Sequence, residues 1–391
     1  MLLLFGPVSL RHLLCLVMFV VLCTMGEVKF DKFIWSIFSF VFFLGISSFI
    51  TGFGNMFLGK LFGTYFVGIV LYLSTRTMIK KYDALLWIYV VFVSLALLDA
   101  VVTIGQFFNN PLAVRIADFL GVKEYQEDMW ASIDAHSGAI GGIGAGGLFG
   151  VVKNGIFLCA ASIFSLYNKN GIKWWNWGIC FFLLIALFFV QERTGLLMGI
   201  IGVFAYLFLN SRKSLSGFIS LVVVILLSFY IVPQFFLNSI NFEETRYGIQ
   251  MFTGLEDRGS LSDQAFNYIS LNPMGGAYDY IARGNTEPHN LIANCYIYGG
   301  IFGGSIILIV IIVQMIIVFK IMKAFYQGKN IPIVLVNVAL IYFCLTANSL
   351  THNNSLPRGD EYFYLFWGLL SILYYKNSTS FGLSIKKMFR K

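Results

Sequence analysis

Charge is scarce in this sequence. Only 12% of its 391 residues are Asp, Glu, Lys or Arg, about half the roughly 25% of an average soluble domain. A soluble chain of this length would fold into roughly two or three domains, whose combined surface needs far more polar side chains. A soluble enzyme is excluded on that ground. A disordered chain is excluded too, because 58% of the residues are hydrophobic. Cysteine is sparse and poorly placed for cross-linking. Cys15, Cys23, Cys159, Cys180, Cys295 and Cys344 all lie in or at the edge of apolar runs, which excludes a disulfide scaffold and leaves them as small packing residues. The histidines, His12, His136, His289 and His352, are scattered, with no helical pair and no Cys-x-x-Cys beside them, so no metal site and no other cofactor is expected. Nor is a nucleic-acid partner. Alternation of polarity is missing as well. A membrane barrel needs strands of about 10 residues that alternate, whereas the apolar runs here are continuous.

Those runs are about 20 residues long, the length of a membrane-crossing helix, and the mean hydropathy is +0.79. The expected fold is an all-α polytopic membrane protein, a single integral membrane domain over 1–391 embedded in the lipid bilayer. About eleven spans are expected (roughly 10 to 12), each boundary uncertain by several residues: 10–25, 33–52, 61–78, 84–105, 148–167, 174–190, 194–210, 216–235, 291–319, 331–349 and 362–375. Arg11 and His12 interrupt the first. A signal peptide is its alternative reading, but Thr24-Met25-Gly26 is only a loose small-x-small cleavage pattern, so a retained helix is preferred.

Lysine and arginine set the expected orientation. Lys29/Lys32, Arg76/Lys80/Lys81, Lys169/Lys173, Arg212/Lys213, Lys320/Lys323/Lys329 and the tail from Lys376 to Lys391 fall in alternate connections, and they hold most of the 27 basic residues. The C-terminus is therefore expected in the cytoplasm. The segments 106–147, 236–290 and 350–361 are expected outside, facing the periplasm. Segment 236–290, between the spans at 216–235 and 291–319, is the largest aqueous stretch. It contains a helix-like run from Ser260 to Ser270 and a turn at Asn272-Pro273-Met274-Gly275-Gly276, so it is expected to fold.

Arginine is unevenly distributed. Arg115, Arg193, Arg246, Arg258, Arg283 and Arg358 lie on the expected outer side, against only Lys60, Lys123 and Lys153. The planar guanidinium fork suits phosphate or carboxylate, whereas lysine is a hydrated point charge. An outer anion-binding face is one reading; pairing with loop acids such as Glu243, Glu244, Glu256 and Asp257 is the other. Arg193 sits in a tight turn, Gln191-Glu192-Arg193-Thr194-Gly195, between two apolar runs, a depth at which charge tends to be functional or paired. His289, in Glu287-Pro288-His289-Asn290, ends the long loop and opens the next span. An imidazole there can act as general base near neutral pH, or simply cap the helix. Asp99 lies near the outer end of its helix, to orient an arginine or to stand hydrated.

Together these residues resemble the O-antigen ligase/polymerase family of bacterial envelope glycosyltransferases. That family carries His-(Asn/Ser/Gln), nine residues, then Gly-x-x-Gly. His289-Asn290 is followed by 291–299 and then Gly300-Ile301-Phe302-Gly303. The family's arginine in a loop helix, followed by an Asn-Pro-apolar-Gly turn, is matched by Arg258 and Asn272-Pro273-Met274-Gly275. Its Arg-Gly/Thr turn between spans is matched by Glu192-Arg193-Thr194-Gly195. Leu261 falls three residues after Arg258, where ligases often place a leucine four after. The resemblance covers roughly 105–375.

It implies a C-type membrane glycosyltransferase fold and a metal-independent transfer from an undecaprenyl-pyrophosphate-linked oligosaccharide at the periplasmic face of the inner membrane. His289, Arg258 and Arg193 would be catalytic. Arg283, Arg358, Asn290, Tyr280 and Arg246 would contact the substrate, with Tyr278 and Tyr247 as further stacking candidates. A polymerase joining lipid-linked repeat units is the preferred reading, with a chain-length regulator as a partner that the resemblance implies. A ligase acting on lipid A-core, or a flippase for the same lipid-linked glycan, is the alternative. The absence of an internal repeat counts against the flippase.

Overall fold

A computed structural model of the chain describes residues 10–108, 110–119, 147–148, 151–167, 174–190, 193–210, 254–288, 290–350 and 355–377. Every regular element among the described residues is helical. Helix α1 spans Leu10–Thr24 and α2 Lys32–Ile50. Helix α3, Gly54–Lys60, runs through a π-helical turn, Leu61–Phe66, into α4, Val67–Tyr82. Then come α5 Leu85–Phe107, α6 Pro111–Phe119, α7 Val151–Ser165, α8 Trp174–Val190 and α9 Arg193–Asn210. The segment before the next long helix contributes α10 Gly254–Leu271 and α11 Ala277–Ala282. Helix α12 is Leu291–Tyr326 and α13 Ile333–Ser349. A 3₁₀ turn, Leu356–Arg358, leads into α14, Glu361–Asn377.

Among the described residues, four stretches are long and apolar enough to cross a bilayer: Lys32–Ile50, Gly54–Tyr82, Leu85–Phe107 and Leu291–Tyr326. Shorter apolar helices occupy His12–Thr24, Trp174–Val190, Thr194–Leu209 and Ile333–Ser349. The run expected at 216–235 lies outside the described residues. The run expected at 61–78 is part of a longer helix that begins at Gly54, so Lys60 belongs to a helix and not to a connection.

The outward faces of these helices are apolar, the reverse of a soluble protein. On α5 the exposed side chains include Trp87, Val91, Leu95, Leu98 and Val101, one every three or four residues. They form a continuous apolar stripe, with Trp87 at 70% exposure. An exposed stripe of that length is suited to lipid, so the protein is a membrane-embedded helical bundle.

Inside, α2 packs along α12, α4 along α14, and α7 between α8 and α9, while α13 touches α7, α9, α12 and α14. The α4–α14 contact is reciprocal. A Cβ on Gly68 would stand 2.6 Å from the Tyr364 ring, and one on Gly368 would stand 3.2 Å from the Tyr72 carbonyl oxygen. Each helix thus offers a glycine where the other presents a tyrosine, the close approach that small residues permit between membrane helices.

One end of the bundle gathers charge from connections far apart in sequence. Asp31 caps α2 by accepting from the Ile34 N–H at 3.1 Å, accepts the Tyr72 hydroxyl at 2.6 Å and pairs with Arg76. Glu27 pairs with Lys80 at 3.2 Å and Lys81 at 3.1 Å, and Lys376 with Asp83 at 3.4 Å. Their environments differ. Asp31 is largely enclosed, with 11% of its side chain exposed, whereas Asp83 is 90% exposed. Removing one partner of an enclosed pair strands the other charge, at a cost of about 3 kcal/mol or more, while an exposed pair contributes about 0–1 kcal/mol. Thermal unfolding in detergent should therefore show a large drop in Tm for Asp31→Ala and almost none for Asp83→Asn, which removes the charge but suits the left-handed backbone at that position. Equal shifts would contradict this account.

Candidate functional site

The opposite end is organised around an interruption in α12. Asn290 caps this helix, its side-chain oxygen accepting from the Ile292 N–H at 2.8 Å and the Ala293 N–H at 3.3 Å. Ten residues on, Gly300 has φ +63°, outside the helical region. In an unbroken helix the Ile301 N–H would bond to the Ile297 carbonyl. Here the Ile301 N–H donates instead to the Pro273 carbonyl at 2.8 Å, and the Ile297 carbonyl accepts from the Gly276 N–H at 3.0 Å. The turn Asn272–Gly275, closed by Gly275 N–H to the Asn272 carbonyl at 2.8 Å, is thus inserted into the helix's own ladder. A side chain at Gly300 would run into the carbonyl of Met274. Gly303 serves the other flank, where a Cβ would meet that of Phe43 on α2 at 3.0 Å.

The segment of α10 and α11 is held by its own side chains as well. The Tyr268 hydroxyl bonds to Asp279 at 2.9 Å and donates to the Gly276 carbonyl at 3.1 Å. Arg283 pairs with Asp279 at 2.8 Å and lies over the Tyr268 ring. The expected helix at Ser260–Ser270 is part of the longer α10, and the expected turn after it is present.

Beside the interruption, four polar side chains from four parts of the chain meet. The Tyr298 hydroxyl donates to Glu287 Oε1. Arg358 Nη2 pairs with Glu287 Oε2 at 2.5 Å. Lys60 Nζ donates to the Tyr298 hydroxyl at 3.3 Å and stands 4.7 Å from that ring's centre. The π turn contributes directly. It closes its hydrogen bonds between residues five apart, so Lys60 and Tyr65 come to one face, and Tyr65 donates to the Pro357 carbonyl at 2.5 Å. Lys60 therefore reaches Tyr298 while Tyr65 holds the 3₁₀ turn that carries Arg358. Side-chain exposure is 29% for Arg358 and 14% for Glu287, so this pair is less screened than a surface ion pair. Tyr278 borders the group: burial pushes its hydroxyl up to about 12, and the Glu287 carboxylate adds to that rise.

Of the expected site residues, Arg358 stands in this group. His289 and Arg246 lie outside the described residues. Arg193 opens α9 and Arg258 lies in α10, but their side chains, too, are outside the described residues. Arg283 is occupied by Asp279 and is 58% exposed. Two others have partners of their own in the structure. Asn290 spends its side-chain oxygen on capping α12, so that oxygen is not offered to a substrate. Tyr280 is fully buried, packed edge-on to Tyr268 with ring centres 5.1 Å apart, because it belongs to the core of the α10–α11 segment; it presents no face for a sugar. Among the described contacts, no arginine stands beside Asp99. It is buried and accepts the Leu148 N–H at 2.7 Å, while Gln106 holds Gly147 through both its amide atoms, at 2.8 and 3.1 Å. Lys60, Glu287 and Tyr298 were not singled out from the sequence. The one available signal was the position of Tyr298 immediately before Gly299-Gly300.

Compared with protein-family models, curated proteins and solved structures, the chain matches none.

Two outcomes are expected. Gly300→Ala should destabilise the protein by about 2 kcal/mol or more, through left-handed strain and a collision with the turn. Gly178→Ala on α8, where a Cβ meets nothing within 4 Å, should leave Tm unchanged or raised. Comparable loss in both would show that the interruption has no special role. The second concerns Asp360, beside Arg358. Burial, reinforced by Glu361, pushes its carboxyl up to about 6 against the opposing pull of Lys153, the Tyr362 N–H and Arg358. An unfolded aspartate titrates near 4, so folding favours the protonated form. The resulting penalty is complete above about pH 6 and vanishes below about pH 4. Asp360→Asn should raise Tm at pH 8, with the gain shrinking as pH falls from 6 to 4. A gain independent of pH would contradict the sign.

Proposed function

We propose that this protein is a surface-polysaccharide polymerase of the O-antigen type, a membrane glycosyltransferase of the C-type fold. It would transfer a glycan from an undecaprenyl-pyrophosphate donor to a sugar hydroxyl of a lipid-linked acceptor. The observation that carries this reading is the hydrogen bonding of Asn272–Gly276 into α12 at Gly300. Two short elements of the family resemblance, separated in sequence by more than twenty residues, are joined backbone to backbone, and Arg358 lies close by.

The reaction needs two things from the protein. Pyrophosphate is already a good leaving group, but negative charge grows on it as the glycosidic C–O bond breaks. Preorganised cations stabilise such charge, and in this reading Arg193 and Arg258 hold the pyrophosphate while Arg358 contributes at its margin. The attacking hydroxyl must also lose its proton as the new C–O bond forms. His289 takes that proton as general base, and undecaprenyl pyrophosphate departs. The end of the bundle rich in Arg76, Lys80, Lys81 and Lys376 faces the cytoplasm in this reading, as the positive-inside rule requires. The end with Arg358 then faces the periplasm of the inner membrane.

Purified protein in detergent, given lipid-linked glycan, should make longer glycans. Arg258→Ala and His289→Ala should each abolish the product while the protein still reaches the membrane. Arg193→Lys should fail too, because an ammonium cannot reproduce a bidentate grip. Long-chain product from His289→Ala would remove the base from the mechanism. A wild-type protein that moves lipid-linked glycan across a bilayer without lengthening it would replace the polymerase by a transporter. Transfer of finished polymer to lipid A-core, without elongation, would make it a ligase.

A further inference from the structure

We infer that Glu287 is a positioning residue for the transfer site, fixing both the chain entering α12 and the guanidinium of Arg358. The inference rests on the glycosyl-transfer reading, and it concerns a residue which that reading leaves without a role.

The argument is one of constraint. Glu287 uses both carboxylate oxygens, one for the Tyr298 hydroxyl and the other for Arg358. Tyr298 is in turn held by Lys60, and the turn carrying Arg358 is held by Tyr65. None of these four contacts is local: each spans more than ten residues of sequence. They therefore tie the segment before α12 to α3, α12 and the 3₁₀ turn. Pro288 follows Glu287, with its φ set by the ring. Asn290 is then committed to the α12 cap. Glu287 and Asn290, the described residues on either side of position 289 in sequence, are thus both held. A general base gives its full effect only when held close to the reacting geometry, and the surrounding polar contacts supply that hold. Glu287 also makes Arg358 tolerable at this depth by pairing with it, so a single carboxylate sets a base-bearing segment and a cation together.

The experiment uses the full-length protein in detergent, with turnover of lipid-linked glycan and hydrogen–deuterium exchange read on the same samples. Glu287→Gln should lower kcat by about tenfold or more while KM for the donor shifts less than about threefold, the pattern of a lost transition-state arrangement. Deuterium uptake should rise in the peptide covering 285–290 and stay unchanged in the middle of α2 and α13. Tyr298→Phe, which leaves the ion pair in place, should move both readouts the same way by a smaller factor. Glu287→Asp should recover part of kcat, since the charge is kept and the reach shortened. Wild-type kcat in Glu287→Gln overturns the inference while leaving glycosyl transfer standing. Uptake that rises throughout the bundle overturns it in favour of general stabilisation. If the wild type makes no product yet the 285–290 peptide still responds to Glu287→Gln, the transfer reading falls, and the positioning role falls with it.

Discussion

A backbone group in a water-poor layer has no partner but the protein, and the end of this bundle that holds Gly300 is built around that constraint. Helix α12 opens its ladder at Gly300, which frees the Ile297 carbonyl and the Ile301 N–H. Each, left unsatisfied, would cost about 1–3 kcal/mol. The Gly276 N–H and the Pro273 carbonyl fill both places. The segment of α10 and α11 is thereby part of the hydrogen bonding of a membrane-length helix and not an ornament laid on it. The register of Asn272–Gly276 on Gly300 places α10 on one side and α11 on the other. From α11 the chain runs on to Glu287 and the Asn290 cap. Had α12 been straight, no backbone group would have been available to receive the turn.

The same constraint governs charge. The ion pairs described cluster at the two ends of the bundle, where α2, α4 and α14 meet at one and where Glu287, Arg358 and Lys60 meet at the other. Between them, Gln314 and Asn337 face inward and each makes a bond to a neutral partner. Gln314 accepts the Tyr342 hydroxyl at 2.7 Å, and Asn337 donates to the Ile163 carbonyl at 2.7 Å. Such bonds tie α12 to α13 and α13 to α7 without moving charge into the apolar layer. Close packing completes the work through pairs such as Gly68 with Tyr364 and Gly202 with Ile163.

Residues whose behaviour depends on local chain geometry were readable in the sequence. Asn272-Pro273-Met274-Gly275 looks like a turn and is one. The polar-to-apolar switch at Asn290-Leu291 looks like a helix start and is one, although the same geometry commits the Asn290 oxygen to the backbone and takes it away from a ligand. The apolar runs become helices because nothing else satisfies the backbone in lipid. Tyr280 and Asp99 were harder to place, since a tyrosine in a loop and an acid near a helix end each have several available surroundings. Tyr280 became core once Tyr268 packed against it, and Asp99 became the acceptor of the Leu148 N–H.

Scarcity of charge, continuous apolar runs and the alternation of lysine-rich connections depend on composition and on order along the chain. Those features alone establish a helical membrane protein. The partnership of Glu287 with Arg358, Tyr298 and Lys60 could not be derived in that way. Its members are 71 residues apart on one side, 287 to 358, and 238 on the other, 60 to 298. Their meeting depends on a π turn that rotates Lys60 toward Tyr298 and on a glycine at positive φ that lets a turn enter a helix. Hydropathy reports how much of a segment leaves water. It carries no information about which two distant side chains will share the small polar space that remains, because that is set by the summed rotations and crossing angles of every helix between them.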